Sequence, residues 1–254
     1  MSHLTPDATY QKAADLLRKA RHAVAFTGAG ISTPSGIPDF RSAGSGLWAR
    51  NDPMKVASLT SFRRTPQVFF DWLRPLAAQI VQAQPNPAHL ALAKMEKAGI
   101  LKAVITQNID GLHQKAGSNN VFEVHGGMNT LSCPKCHLVV ASTPYLTTFV
   151  ENGTLPACPD CGSLLKPDFV LFEEMLPEDT WQSAVNYSRQ ADVILVAGSS
   201  LTVMPAAGLP YSAVENNAAL ILINLTPTYL DDQAAVLLPM DVAVALPGIM
   251  RYLR

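Results

Sequence analysis

Five short runs of the chain are almost unbroken in apolarity: Ala23–Phe26, Leu101–Thr106, Asn120–Val124, Asp192–Ala197 and Ala218–Ile223. They lack the alternation of a sheet with one wet face and read as strands buried on both faces of a parallel sheet. Helix-compatible patterns separate several of them, at Pro87–Ala98, Pro177–Gln190 and Pro205–Asn217. Strand and helix in alternation predict an α/β fold with a doubly wound, Rossmann-like parallel sheet. Ahead of the first strand, Thr5 is placed to cap a helix with Pro6 in its first turn, and Ala13, Ala14, Leu16, Leu17 and Ala20 form its apolar face. Two stretches break the alternation. Residues 42–86 carry helical patterns interrupted by prolines, and residues 126–166 show little apolar periodicity. Both read as insertions into a domain formed by residues 1–41, 87–125 and 167–254.

Composition narrows the class. With 254 residues, 48% of them hydrophobic and 15% charged, the chain is neither disordered nor in need of disulfide staples. Its net charge of −1 gives no electrostatic case for nucleic acid or an anionic membrane. The longest apolar runs fall short of the ~18 residues of a membrane span. The segment Met1–Asp7 has no basic patch or apolar stretch of the signal-peptide kind. A soluble, cytoplasmic protein is expected.

All four cysteines fall in two identical spacings, Cys133-Pro-Lys-Cys136 and Cys158-Pro-Asp-Cys161, with 21 residues between the pairs. Two residues between thiolates let one turn aim both sulfurs at one ion, and two such turns complete a tetrahedron. Four protein ligands leave no open position, so one structural Zn2+ is expected, not a catalytic one. Disulfides are disfavoured in a reducing cytosol, and the duplication of the motif disfavours a redox Cys-x-x-Cys. His137, beside Cys136, is surplus to four thiolates and reads as a surface histidine.

After the first apolar run comes Thr27-Gly28-Ala29-Gly30-Ile31-Ser32-Thr33. Glycines here permit a tight turn and let backbone amides approach a pyrophosphate near a helix N-terminus. The fingerprint is half complete: Thr33 replaces its third glycine, and no acidic residue ends a second strand about 20 residues on. An ordinary βα turn would look similar. The segment that follows, Ser35-Gly36-Ile37-Pro38-Asp39-Phe40-Arg41, is harder to explain as a plain connection, because it holds an unprotected aromatic and an Asp/Arg pair.

With these residues the sequence resembles the sirtuins, NAD-dependent protein deacylases. The first signature runs from Gly28 to Arg41. Thr106-Gln107-Asn108-Ile109-Asp110-Gly111-Leu112-His113 matches the second, and Glu123-Val124-His125-Gly126 precedes the first cysteine pair. Gly198–Pro205 and Ile223-Asn224-Leu225 follow in order, so the likeness covers residues 20–246. It implies a large Rossmann-like domain, a small lobe made of the two insertions, and a cleft between them where NAD meets an acylated protein or peptide. A monomer is expected.

The resemblance also implies roles. The acyl oxygen attacks the ribose and expels nicotinamide, leaving an alkylimidate, and His125 serves as general base on the ribose hydroxyls, with the acyl group ending on ADP-ribose. Asp110 and Ile109 would hold the nicotinamide carboxamide, and Asp110 has a competing use in capping the turn to Gly111. Gln107 and Asn108 would bind ribose hydroxyls or order water near them. Gly28, Ala29, Gly30, Ser32, Thr33 and Pro38 belong to the cofactor loop; Asp39 and Arg41 would anchor it on the diphosphate side, and Phe40 would shield the reactive carbon. Gly198, Ser199, Ser200, Asn224, Leu225, Asp241 and Val242 would line the adenosine half, with Ser199 replacing the usual threonine. Val170 and Phe172 on one side and Leu201 and Val203 on the other match the segments between which a peptide adds as a strand. Val170, Phe172 and Phe40 would wall the acyl-lysine tunnel.

Two departures matter. The usual Phe-Gly-Glu is Phe172-Glu173-Glu174, which removes the glycine's access to positive φ. Its added charge is expected to favour basic flanking residues in the substrate or to narrow the groove. Gln67–Arg74 lacks the Tyr-x-x-Arg pair of the succinyl- and malonyl-removing subgroup, so neutral acyl groups, acetyl first, are expected. The rival readings are protein ADP-ribosyltransfer from the same NAD geometry, a zinc-ribbon nucleic-acid binder, and a hydride-transferring dehydrogenase. Residues 126–166 do not carry the basic stripe that the second requires.

Overall fold

In the computed structural model, which describes residues 5–42, 44 and 46–253, a six-stranded parallel sheet forms the centre. Its strands are β1 (Ala23–Thr27), β2 (Leu101–Thr106), β3 (Val121–Glu123), β7 (Val193–Ala197), β8 (Ala219–Ile223) and β9 (Val236–Leu238), in the order β3-β2-β1-β7-β8-β9. Chain order runs outward from β1 in one direction and from β7 in the other. The two therefore flank a switch point, where a crevice opens beyond the carboxyl ends of the strands. There Thr27 is in register with both Thr106 and Ala197.

The unbroken apolarity of the strands has a direct cause. Ala23 and Ala25 face a core with Leu17, Leu92, Met95 and Ile249, while Val24 and Phe26 face another with Ile194, Leu209 and Leu220. Helices α1 (Pro6–Lys19), α5 (Pro87–Lys97) and α10 (Val242–Met250) cover the first face; α8 (Glu178–Gln190) and α9 (Gly208–Glu215) cover the second. Thr5 caps α1, its hydroxyl accepting the Ala8 amide at 3.4 Å. The edge strand β9 and the C-terminal helix α10 were not foreshadowed by the sequence pattern, and α9 begins three residues later than expected.

The two irregular stretches pack on each other. Residues 42–86 supply α2 (Pro53–Val56), α3 (Leu59–Arg64) and α4 (Pro66–Gln82). The second stretch is more ordered than its sequence suggested. It holds strands β4 (Gly126–Ser132) and β5 (Val139–Ala141), helix α7 (Thr143–Asn152) and the start of β6 (Lys166–Phe169), with an antiparallel sheet in the order β5-β4-β6. Helix α7 is obscured by three threonines of low helix propensity, yet Phe149 reaches Phe70 of α4 at 5.5 Å between ring centroids. Phe62, Phe69, Phe70, Leu73, Phe149 and Phe169 form one core across both insertions. Each such buried side chain contributes about 1.5–3 kcal/mol. Short α6 (Leu112–Lys115) completes the fold.

Candidate active site

The turn after β1 is built by backbone contact with the turn after β7. The Gly30 amide donates to the Gly198 carbonyl at 2.8 Å. A Cβ on Gly30 would stand 2.9 Å from that oxygen, and one on Gly198, whose φ is 64°, would stand 2.3 Å from the Ile31 nitrogen. No α-helix starts here, contrary to the sequence expectation. The chain makes two 3-10 turns, Ala29–Ile31 and Thr33–Ser35. Anion binding at this point would rest on turn amides, because no long helix aligns its dipoles behind them.

Beyond β2, the main chain of Gln107 receives a catalytic candidate. His125 Nδ1 lies 3.1 Å from the Gln107 carbonyl oxygen. A carbonyl only accepts, so Nδ1 carries the proton and Nε2 is left as a base. Burial holds the His125 pKa below its ordinary value; the Gln107 bond works against that, and Arg41 works with it. Asn108 Nδ2 donates to Ser32 Oγ at 3.0 Å, and Ser32 Oγ donates to Asp110 Oδ2 at 2.7 Å. The other Asp110 oxygen accepts the Leu112 amide at 2.9 Å, so turn capping and the polar network are served by one carboxylate. Burial raises the Asp110 pKa, opposed by those two hydrogen bonds.

A cavity of about 1070 Å³ joins these turns to the small lobe. That is slightly above the ~300–1,000 Å³ usual for a ligand pocket and leaves room for more than one reactant. At one end Gly28, Ala29, Gly30 and Thr33 face Gly198, Ser199 and Ser200, with Asn224, Leu225, Asp241 and Val242 beyond. Ser199 Oγ accepts from Gln107 Nε2 at 3.0 Å, and Asp241 caps α10 through the Ala243 amide at 2.7 Å. In the middle stand Asp39, Phe40, Arg41, Gln107, Asn108, Ile109 and His125. Val170, Phe172 and Val203 line the other end.

Four expected site residues are not part of the cavity wall: Ser32, Pro38, Asp110 and Leu201. Ser32 stands behind Asn108, to which it is bonded, and Asp110 is bonded to Ser32 in turn. Leu201 is 3% exposed and packs in the core with Val196 and Leu209, so its side chain faces the core and not the cavity. Asp39 spends both carboxylate oxygens on its own turn: one accepts the Arg41 and Ser42 amides at 2.8 and 2.6 Å, and the other accepts the Ser42 hydroxyl.

Sequence reasoning missed Trp48 and Trp72. Trp48 follows Phe40 in an aromatic column, with ring centroids 5.2 Å apart, and stacks on Trp72 of α4 at 5.7 Å and 16°. Both tryptophans line the cavity, with Ala57, Leu76 and Phe169. The signal was available: two of only three tryptophans fall in the helical insertion. Arg74, the cation nearest in sequence, is turned away; it donates to the Val150 and Glu151 carbonyls at 2.9 and 2.7 Å. Two histidines without an expected role lie buried beneath the site. His113 Nε2 is 2.9 Å from Thr27 Oγ1, and its ring meets that of His89 at 4.9 Å.

The segment after β6 departs from expectation at Glu173. Its φ is 75°, a conformation costing roughly 1–2 kcal/mol outside glycine. Its carboxylate accepts the Thr60 amide at 2.8 Å, on the wall of the same cavity.

The cysteines converge as their spacing demanded. All four sulfurs lie within 4.8 Å of one another, with Cys133–Cys161 at 3.4 Å and Cys136–Cys158 at 3.6 Å. Tetrahedral Zn–S bonds of ~2.3 Å put sulfurs about 3.8 Å apart, so the set fits one zinc ion. None is in a disulfide, and His137 stays outside the cluster.

A sequence model of the Sir2 family matches residues 28–205. The chain is 47% identical over 222 residues to NAD-dependent protein deacylase 2 of Archaeoglobus fulgidus, which is 87% of each chain. Among solved structures, one Sir2 enzyme superposes with a TM-score of 0.90 at 44% identity, covering 97% of this chain and 98% of the other. Another, bound to a deacetylated p53 peptide and 3'-O-acetyl-ADP-ribose, gives 0.88 at 39% identity, with 95% and 97% covered.

Proposed function

The chain belongs to the Sir2 family, and from that premise we propose that it removes acetyl and other neutral acyl groups from protein lysines, using NAD. The products are nicotinamide, the free lysine and O-acyl-ADP-ribose. One observation carries the reading: a histidine whose Nδ1 is committed to a carbonyl stands in a single cavity with the Gly28–Gly30 turn and with the Val170–Phe172 wall.

NAD, when bound, supplies an electrophilic ribosyl carbon and a nicotinamide leaving group. The chain's own residues do the rest. The turn at Gly28, Ala29 and Gly30, with Thr33 and Arg41, holds the diphosphate; Gly198, Ser199, Ser200, Asn224, Leu225, Asp241 and Val242 hold the adenosine half. Asn108 and Ile109 face the nicotinamide side, and Asp110 acts through Ser32 to fix the Asn108 amide. Gln107 orients His125 by its carbonyl and Ser199 by its side chain. Phe40 screens the reacting carbon from water, which would otherwise hydrolyse it. His125 Nε2 removes a hydroxyl proton. Val170 and Phe172 flank the acyl-lysine, with Val203 opposite.

The small lobe, from insertions at about 42–86 and 126–166, closes the other side of the cleft, with zinc holding its cysteine end. The proposed partners are acylated proteins, met by a monomer in the cytoplasm. No helix among the described residues is long and apolar enough to cross a membrane.

The test is mass spectrometry of an acetyl-lysine peptide incubated with the protein, with and without NAD, beside His125→Ala. NAD-dependent loss of the acetyl group with formation of acetyl-ADP-ribose is expected. Radiolabel from NAD left on protein, with the acetyl group intact, would replace this reading with ADP-ribosyltransfer.

A further inference from the structure

The peptide-facing segment 170–174 is fastened from several directions. The Val170 amide donates to the His125 carbonyl at 2.8 Å. Phe172 exchanges bonds with the helical insertion: its amide donates to the Ala57 carbonyl, and its carbonyl accepts the Leu59 amide, each at 3.0 Å. Two consecutive glutamates then turn opposite ways. Glu174 meets Lys166 at 2.9 Å, with both side chains mostly buried, and the same oxygen accepts the Leu171 amide. That ties the segment to β6. Glu173 reaches the Thr60 amide, in the first turn of α3, and does so from the left-handed conformation that a glycine would adopt freely. A glycine could not supply the carboxylate. Arg63 and Arg64, in the last turn of the same helix, add favourable charge on that side.

We propose that Glu173 is a positioning residue that latches the peptide-facing segment to α3 and so holds Phe172 in place against Trp48, whose ring centroid is 6.1 Å away. The latch itself is geometric; its kinetic consequence rests on the deacylase reading. With Glu173 in place, the helical insertion and the peptide wall form one body, and an incoming peptide meets an edge already set. Less ordering is then required on binding. Loss of the latch weakens peptide binding and leaves NAD binding and the chemical step alone.

Glu173→Gly tests this safely, because it relieves the backbone while removing the carboxylate. The expected result is faster hydrogen exchange at the Thr60 amide and a KM for acetylated peptide raised roughly three- to tenfold. The KM for NAD and kcat stay unchanged. Glu173→Gln, whose amide oxygen still accepts, stays near the parent protein in exchange and in KM. An unchanged peptide KM in Glu173→Gly, or an equal rise in both variants, overturns the proposal. If the parent protein turns over no acyl peptide, the deacylase reading fails instead, and Thr60 exchange alone decides: unaltered protection in Glu173→Gly refutes the latch.

Discussion

His125 Nδ1 sits 3.1 Å from the main-chain carbonyl oxygen of Gln107, which fixes which ring nitrogen can act as a base. Because burial depresses the His125 pKa, the neutral ring persists below the ordinary histidine range. The sign follows: kcat/KM rises with pH, inflects below about 6.5, and is flat through neutrality. His125→Ala should lower the rate at least ~100-fold and abolish that limb. An inflection above pH 7 in the pH–rate profile would contradict the geometry.

Acid sensitivity should come from beneath the site. Burial depresses His89 to about 4 and His113 to about 3, against 6.5 when exposed. Below pH 6.5 the unfolded chain takes up protons that the folded chain refuses, so stability falls with pH until those lower values are reached. Each histidine contributes a slope of about 1.4 kcal/mol per pH unit. Urea unfolding at pH 7, 6 and 5 measures it, and His89→Gln should remove about half of this slope. A profile level from pH 7 to 5 would count against buried neutral rings.

Gly198→Ala should be among the most damaging single-methyl changes. The added Cβ would fall 2.3 Å from the Ile31 nitrogen, in a left-handed conformation, between two backbones that cannot part without breaking the Gly30–Gly198 hydrogen bond. A loss of ~3 kcal/mol or more is expected. Thermal unfolding and NAD binding by calorimetry report it; a variant with parental values in both would show that the turns yield more easily than their packing implies.

Removing zinc should loosen the small lobe first. The cysteine cluster has its own little core, with Leu131 and Leu165 and with Leu138, Val140 and Tyr145 packed against them. One zinc per chain is expected by elemental analysis. Chelation, or Cys158→Ser, should cost several kcal/mol and lower the melting temperature. An unchanged melting temperature on complete zinc removal would deny the ion a structural role.

Charged acyl groups should be poor substrates. Arg74 is engaged with the end of α7, and the deep wall is Trp48, Trp72, Leu76 and Phe169. An acyl carboxylate against those four side chains would be buried with no cation among them, at several kcal/mol. Succinyl-lysine peptides should react at least ~100-fold more slowly than acetyl-lysine peptides, as kcat/KM. Faster succinyl turnover would refute this.

Legibility in the sequence tracked how local the cause was. The strands from Ala23, Leu101, Asp192 and Ala218 were readable because each is buried on both faces, which leaves no polar alternation. Strand β9 and helix α7 were not, since one is three residues long and the other relies on Phe149 meeting Phe70 from a distant insertion. The order of the signature motifs pointed to most of the cavity wall. Trp48 and Trp72 escaped because their stacking joins a loop and a helix that no local pattern connects.

By itself the sequence determined the parallel α/β core, the four-sulfur site and the residue types of the cleft, since apolar run length, cysteine spacing and glycine placement act over a few neighbours. Only the folded chain decided which ring nitrogen of His125 stays a base, that Asp110 stands behind Asn108, and that the Glu173 carboxylate reaches the Thr60 amide. Those outcomes depend on which backbone group happens to lie within hydrogen-bond reach, and that is set by the packing of segments far apart in the chain.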